Sequence, residues 1–341
     1  MPVDKVLLAA PRGFCAGVEM AIKALAWMVR AFEPPVYCYH EIVHNQLVVE
    51  RFRALGVVFV DDIDEVPQGR PIMLSAHGSA PEVVTAARER GSFVVNAVCP
   101  LVTKVHHEVK VRAGKGFRIV YVGHEEAVGT MAVAPDAIDR VESIAEVDAL
   151  AVASEQPVAL LAQTTLSHRD WAAVADRAAE RFPGLWRPGR SDLCFATTNR
   201  QSALAAIAPR VDAMVVIGSA NSSNTVALEK LARESGCARV YRVNRADEVP
   251  TDLAGTVGVT AGASAPEELV DAVIARLAPV EGVEEVTVTE EDEYFPPPRE
   301  LRDLLAGVDV LATFGLGGSV PGRPAPDDRT LPASEALAVL A

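Results

Sequence analysis

Short apolar runs alternate along this chain with stretches whose apolar positions recur at helical spacing. Lys5-Val6-Leu7-Leu8-Ala9 reads as a buried strand, and Val18, Ile22, Leu25, Val29 and Phe32 then mark one face of a helix. Pro34 and Pro35 stop it. Val36–Tyr39, Val57–Val60 and Ile72–Ser75 read as further strands, with a helix through Leu47–Val49 and another opened by Pro81.

The alternation continues past Cys99. Val102, Val105 and Val109 share a helical face, Ile119–Val122 and Val158–Ala162 are strands, and Ser167 is placed to cap a helix running from Trp171 to Phe182. Beyond Cys194 come a helix over Gln201–Ala208, the strand before Gly218, a helix over Val226–Arg233, and strands at Ala238–Tyr241 and Thr256–Thr260. Pro266 opens a helix to about Leu277, and Glu285–Val288 is a last strand before Pro296-Pro297-Pro298 breaks the pattern. Such alternation predicts α/β units with largely parallel sheets, whose ligand sites lie at the carboxyl ends of strands.

Three isolated cysteines punctuate this order at nearly even spacing. Cys15, Cys99 and Cys194 each end a short apolar or small-residue run and open a helix-like stretch. We therefore expect three α/β domains, 1–98, 99–193 and 194–283, converging on a thiolate-bound centre. A segment 284–314 is expected to pack back on this core. Residues 315–341, rich in Gly, Pro and Asp, have the composition of a disordered tail.

Composition narrows the reading. Half of the 341 residues are apolar and 23% are charged, as in a globular protein. The net charge of −14 argues against a broad nucleic-acid surface. The N-terminal apolar run, cut by Pro11 and Arg12, is too short for a signal peptide, and no run approaches a membrane span. The cytoplasm is thus expected, where cysteines serve as thiols, ligands or catalysts rather than disulfides. Cys38 and Cys237, set in apolar runs, read as small buried hydrophobes. No Cys-x-x-Cys is present to support a zinc finger or an ordinary ferredoxin loop.

His77, His124, Thr164, Ser222 to Asn224 and Ser264 all fall directly after predicted strands, which places them on one rim. Taken singly each is a common loop residue. Together, imidazoles, hydroxyls, an amide and helix N-termini can hold a phosphate or diphosphate without a basic surface.

The segments Pro11-Arg12-Gly13-Phe14-Cys15-Ala16-Gly17-Val18, Glu41-Ile42-Val43-His44-Asn45, Ser75-Ala76-His77-Gly78, Cys99-Pro100-Leu101-Val102-Thr103-Lys104-Val105-His106, Gln163-Thr164-Thr165-Leu166-Ser167, Cys194-Phe195-Ala196-Thr197-Thr198-Asn199-Arg200-Gln201, Asn221-Ser222-Ser223-Asn224 and Thr260–Pro266 resemble the 4-hydroxy-3-methylbut-2-enyl diphosphate reductase family in its own order. The resemblance implies a trefoil-like arrangement of three α/β domains around a [4Fe-4S] cluster. Cys15, Cys99 and Cys194 would be the cluster's three protein ligands, leaving one iron open. By the same carry-over His44, His77, His124, Ser222, Ser223, Asn224 and Ser264 would hold the diphosphate, Thr164 would position the substrate hydroxyl, and Glu126 would deliver protons. A ferredoxin or flavodoxin would supply electrons. The family usually has His-Pro-Glu where this chain has His124-Glu125-Glu126. That departure and the tail leave open a diverged relative that uses cluster and diphosphate as a redox sensor or on another substrate.

Overall fold

The computed structural model describes residues 2–124, 127–153, 155–315 and 328–338. In chain order the elements begin with β1 (Val3–Ala10), α1 (Ala16–Ala31), β2 (Val36–Tyr39), α2 (Gln46–Ala54), β3 (Val57–Val60), β4 (Pro71–Leu74), α3 (Pro81–Arg90) and β5 (Phe93–Asn96). Next come α4 (Pro100–Gly114), β6 (Arg118–Val122), α5 (Val128–Met131), β7 (Ile138–Val141), α6 (Ile144–Ala149), β8 (Val158–Ala162) and α7 (His168–Arg181). The last third holds α8 (Phe195–Ile207), β9 (Ala213–Ile217), α9 (Ser223–Glu234), β10 (Val240–Val243), β11 (Gly255–Ala261), α10 (Glu267–Leu277), β12 (Val283–Thr287), α11 (Arg299–Gly315) and α12 (Ala333–Ala338). They form two compact units, Met1–Cys15 with Leu101–Glu291, and Ala16–Pro100 with Asp292–Ala341.

The first unit contains two parallel sheets. Five strands run in the order β10-β9-β11-β1-β12, and three in the order β7-β6-β8. β1 lies inside the larger sheet between β11 and β12, with Val6 opposite both Val257 and Val283. The N-terminal strand therefore leaves the 1–98 domain expected for it and joins the strands that close the chain. Local apolar pattern marks a strand but not its partner, because a parallel partner lies a crossover or more away. Alternate side chains serve opposite faces: Val6, Leu8, Val215 and Val259 pack under α10, while Leu7, Ala9, Met214 and Val216 pack with Leu204, Ile207 and Leu228 of α8 and α9. In the smaller sheet Val120 and Leu160 face α7, and Ile119 and Leu161 face Val105 and Val109 of α4.

The second unit holds the parallel sheet β3-β2-β4-β5, with Ile72, Leu74 and Ala87 in its core. Sequence pattern missed β5 and β7, each four residues long, and α11, which begins directly after Pro298.

Part of the expected tail is ordered. Residues 316–327 and 339–341 lie outside the described residues, but Ala333, Ala336 and Leu337 of α12 are buried and α12 packs on α1. Lys23, 4% exposed, donates to the Asp328 carbonyl at 3.1 Å, with the Asp328 carboxylate 3.6 Å from its ammonium. Tyr294 donates to that carboxylate at 2.6 Å, and Glu19 accepts the Ala333 N–H at 2.7 Å. A composition read as disorder hides three apolar contacts and one buried cation. Lys23→Met strands Asp328, and breaking a buried pair costs about 3–5 kcal/mol. We expect amide exchange of residues 328–338 to rise to that of a free segment while the sheets keep their protection.

Candidate functional site

In the first unit the candidate side chains lie where β8, β9 and β11 end. β9 runs through Gly218 to Ser222, whose hydroxyl caps α9 by accepting the Thr225 N–H at 3.4 Å. Beside it, the turn after β11 sends the Ala263 N–H to Asn224 Oδ1 at 2.9 Å, and Ser264 Oγ lies 3.4 Å from Ser222 Oγ. All three side chains are buried, and Asn224 Nδ2 has no hydrogen-bond partner. A buried amide donor without a partner, beside a helix N-terminus, is chemically suited to an acceptor-rich anionic group. Ser223 opens the same helix and is half-buried.

Two glycines make this corner possible. A Cβ on Gly262 would lie 2.1 Å from Thr225 Oγ1, and one on Gly218, whose φ is +144°, 2.4 Å from it. Gly262→Ala should therefore push the first turn of α9 away and cost about 1–3 kcal/mol as overpacking. Urea unfolding checks this, and the double variant Gly262→Ala with Thr225→Ala should recover most of the loss.

Two cysteines bond to strand ends here, one after β11 and one after β8. Cys15 N–H donates to the Ala263 carbonyl at 3.1 Å and Gly13 N–H, at φ +66°, to the Ala261 carbonyl at 3.3 Å. Cys194 caps α8 and sends its N–H to the Thr164 carbonyl at 2.8 Å. Burial pushes the Cys194 thiol up to about 11, with the neighbouring Cys15 adding to the rise and the Thr197 and Ala196 N–H groups opposing it. A thiolate there is costly until something cationic binds it. Cys15, Cys99 and Cys194 are half-buried and in no disulfide, whereas Cys38 and Cys237 are buried, as expected.

His124 follows β6, and its main-chain N–H donates to Gln163 Oε1 at 2.7 Å, which ties it to the residue before Thr164. Its Nδ1 lies 3.3 Å from Glu142 Oε2. Partial burial raises the Glu142 pKa, but hydrogen bonds from His124 and Arg140 outweigh that and hold the carboxyl below its ordinary range. Glu125 and Glu126 lie outside the described residues.

Residues not anticipated from sequence reinforce the cluster. Asp192, two residues before Cys194, accepts the Ala162 N–H at 3.2 Å and pairs with Lys104 at 3.2 Å. Lys104 also donates to the Arg190 and Ser191 carbonyls at 3.1 Å. Arg200, with no exposed surface, donates to main-chain carbonyls on either side of the cysteines.

The second unit brings together His44, His77 and Cys99. The two imidazoles stack with centroids 3.9 Å apart and planes 11° from parallel, and the Cys99 N–H donates to the Ala76 carbonyl at 3.0 Å. Surrounding protein, then the neighbouring His44 and His40, hold the His77 pKa below its ordinary value. His77 itself is exposed to solvent. Asn45 Nδ2 and Ser79 Oγ are buried without hydrogen-bond partners beside this pair in sequence. Among the described residues, no three His, Cys, Asp or Glu side chains close on a single metal ion, and no helix is long and apolar enough to cross a membrane.

The family model for the LytB protein matches residues 6–278. The chain belongs to the LytB family. Its similarity to curated relatives runs almost end to end. A protein of Rhodopirellula baltica named 4-hydroxy-3-methylbut-2-enyl diphosphate reductase is 47% identical over 310 residues, covering 89% of this chain and 97% of the relative. One of the same name from Beijerinckia indica subsp. indica is 45% identical over 311 residues, covering 88% of this chain and 98% of the relative. The solved E-1-hydroxy-2-methyl-but-2-enyl-4-diphosphate reductase of Plasmodium falciparum superposes with a TM-score of 0.86 at 29% identity, covering 90% of this chain and 100% of that one. A second solved member, described as the terminal enzyme of the non-mevalonate pathway, gives 0.59 at 29% identity over 81% of this chain and 99% of its own. The family model ends before β12, α11 and α12, so the α12 clasp on α1 lies beyond it.

Proposed function

We propose that this chain is a cytoplasmic 4-hydroxy-3-methylbut-2-enyl diphosphate reductase. Two electrons and two protons cleave the allylic C–O bond, release the hydroxyl oxygen as water, and leave isopentenyl or dimethylallyl diphosphate. The observation that carries the reading is the α9 corner, where Ser222, Ser264 and the unpartnered Asn224 Nδ2 surround a helix N-terminus. A diphosphate supplies the acceptors this corner lacks, and its negative charge favours the positive end of the helix dipole.

We assign Ser222, Ser223, Asn224, Ser264, His44, His77 and His124 to holding the diphosphate. Glu142 orients the His124 ring through Nδ1, leaving Nε2 for the ligand. Thr164, whose carbonyl is already committed to Cys194, keeps its hydroxyl to position the substrate alcohol. Glu126 delivers a proton to the departing hydroxyl, since hydroxide is a poor leaving group without an acid.

The donor set fits an iron–sulfur group. Cys15, Cys99 and Cys194 are half-buried, in no disulfide and placed directly before helices, while the other two cysteines, Cys38 and Cys237, are buried. Cys15, Cys99 and Cys194 would hold a [4Fe-4S] cluster, which would supply the electrons and Lewis acidity for C–O cleavage. A ferredoxin or flavodoxin recharges it in this proposal.

The test is iron and acid-labile sulfide per chain on anaerobically purified protein, followed by turnover of the substrate with a chemical reductant. Both present supports the assignment. A cluster without turnover would leave the redox-sensor reading in its place, and no cluster after reconstitution would remove the three-cysteine centre.

A further inference from the structure

We propose that Arg200, with Glu291 as its counterion, is a positioning residue that locks the turn carrying Cys15 onto the helix capped by Cys194. The proposal rests on these two cysteines being cluster ligands. Arg200 lies one and a half turns into α8, wholly inside the protein. Its Nε donates to the Gly13 carbonyl at 3.0 Å, and its Nη2 to the carbonyls of Gly13, Phe14 and Arg12 at 2.8, 3.2 and 3.4 Å. Its Nη1 donates to the Ala196 carbonyl at 2.9 Å and to both Glu291 oxygens at 3.0 and 3.1 Å. Asn199 Nδ2 donates to the same Glu291 carboxylate at 2.9 Å.

Three consecutive carbonyls thus converge on one guanidinium immediately before Cys15. They point away from any strand partner because Gly13 takes a left-handed conformation between β1 and α1. Left unmet, buried carbonyls would draw water or rearrange the turn. Only a flat fork of five donors can bridge that turn, the Ala196 carbonyl and a carboxylate together; a lysine ammonium has three donors from a single point. An apolar side chain would fill the same volume without the cost of burying a charge. The ion pair is therefore explained by what it holds: one end grips the residues before Cys15, the other the first turn after Cys194. Arg200 and Glu291 are paired at 3.0 Å, so removing either charge leaves the other uncompensated near Cys194.

The experiment uses anaerobically reconstituted full-length protein bearing Arg200→Lys, Arg200→Met or Glu291→Gln, with the unchanged chain and Cys194→Ser as references. Circular dichroism of each apoprotein reports folding. The readouts on the loaded protein are its midpoint potential and the rate at which a ferrous chelator strips iron. We expect Arg200→Met, which leaves Glu291 uncompensated, to move the potential down, and Glu291→Gln, which leaves Arg200 uncompensated, to move it up. Iron loss should accelerate at least tenfold in both, with Arg200→Lys recovering part of the difference. A role confined to stability would lower melting temperatures without shifts of opposite sign, and that result overturns the proposal. If Arg200→Met does not fold, Glu291→Gln decides: an unchanged potential and iron retention refute it. Absence of a cluster from the unchanged chain would instead remove the cysteine assignment on which the proposal stands.

Discussion

Glu126→Gln is expected to leave iron, sulfide and diphosphate binding intact while turnover falls by about 10²–10⁴, the usual contribution of a positioned general acid. In sequence the residue lies two positions after His124, whose main chain is pinned to Gln163 and whose ring lies against Glu142. The amide keeps the shape and hydrogen-bonding reach of the side chain and removes only its proton. Single-turnover kinetics on the reduced, loaded enzyme separate this from a binding defect. Glu125→Gln is the control, since the family pattern places proline there and assigns that position no proton. Equal losses at both positions, or near-normal turnover at Glu126→Gln, would take the acid role away from Glu126.

Cys194→Ser should have the opposite signature. Iron and sulfide fall below stoichiometry and activity goes with them, while the apoprotein keeps its fold. Serine preserves the N-cap geometry of α8 and the N–H bond to the Thr164 carbonyl, but a hydroxyl is far harder to ionise than a thiol and is a poor ligand for iron–sulfur chemistry. Cys237→Ser tests the contrast, because that thiol is buried and donates to the Arg239 carbonyl at 3.5 Å. It should retain full iron. Unchanged iron in Cys194→Ser would refute the ligand assignment.

The elements were legible where chemistry is local. Apolar runs such as Ala213–Ile217 are strands, and the polar residues after them, Ser222 to Asn224 and Ser264, meet at one corner as their position at strand ends implied. β7 escaped because Asp139 and Arg140 interrupt it and leave no apolar run, and β5 because only Phe93–Val95 precede the polar Asn96. The placement of β1 escaped because pairing is a long-range choice among similar apolar strands. Arg200 escaped for another reason: in Asn199-Arg200-Gln201 it reads as a polar helix face. Yet Ala196 and Leu204, one turn before and one turn after it, are both wholly buried. Helical spacing alone put Arg200 on the inner stripe, and a charge there was the signal to ask what it holds. The α12 clasp was hidden by composition, since a few alanines and one leucine suffice when a buried Lys23–Asp328 pair fixes the approach.

The position of β1 also sets an order of events during synthesis. The strand leading to Cys15 is made more than 240 residues before its neighbours β11 and β12. At ribosomal rates of about 5–20 residues per second, that apolar strand waits on the order of tens of seconds for partners. Until then its backbone edges and the Cys15 thiol have no native shelter. Iron–sulfur loading is therefore a step for the completed chain, and a polypeptide cut short before residue 283 should emerge as a chaperone client that cannot be matured.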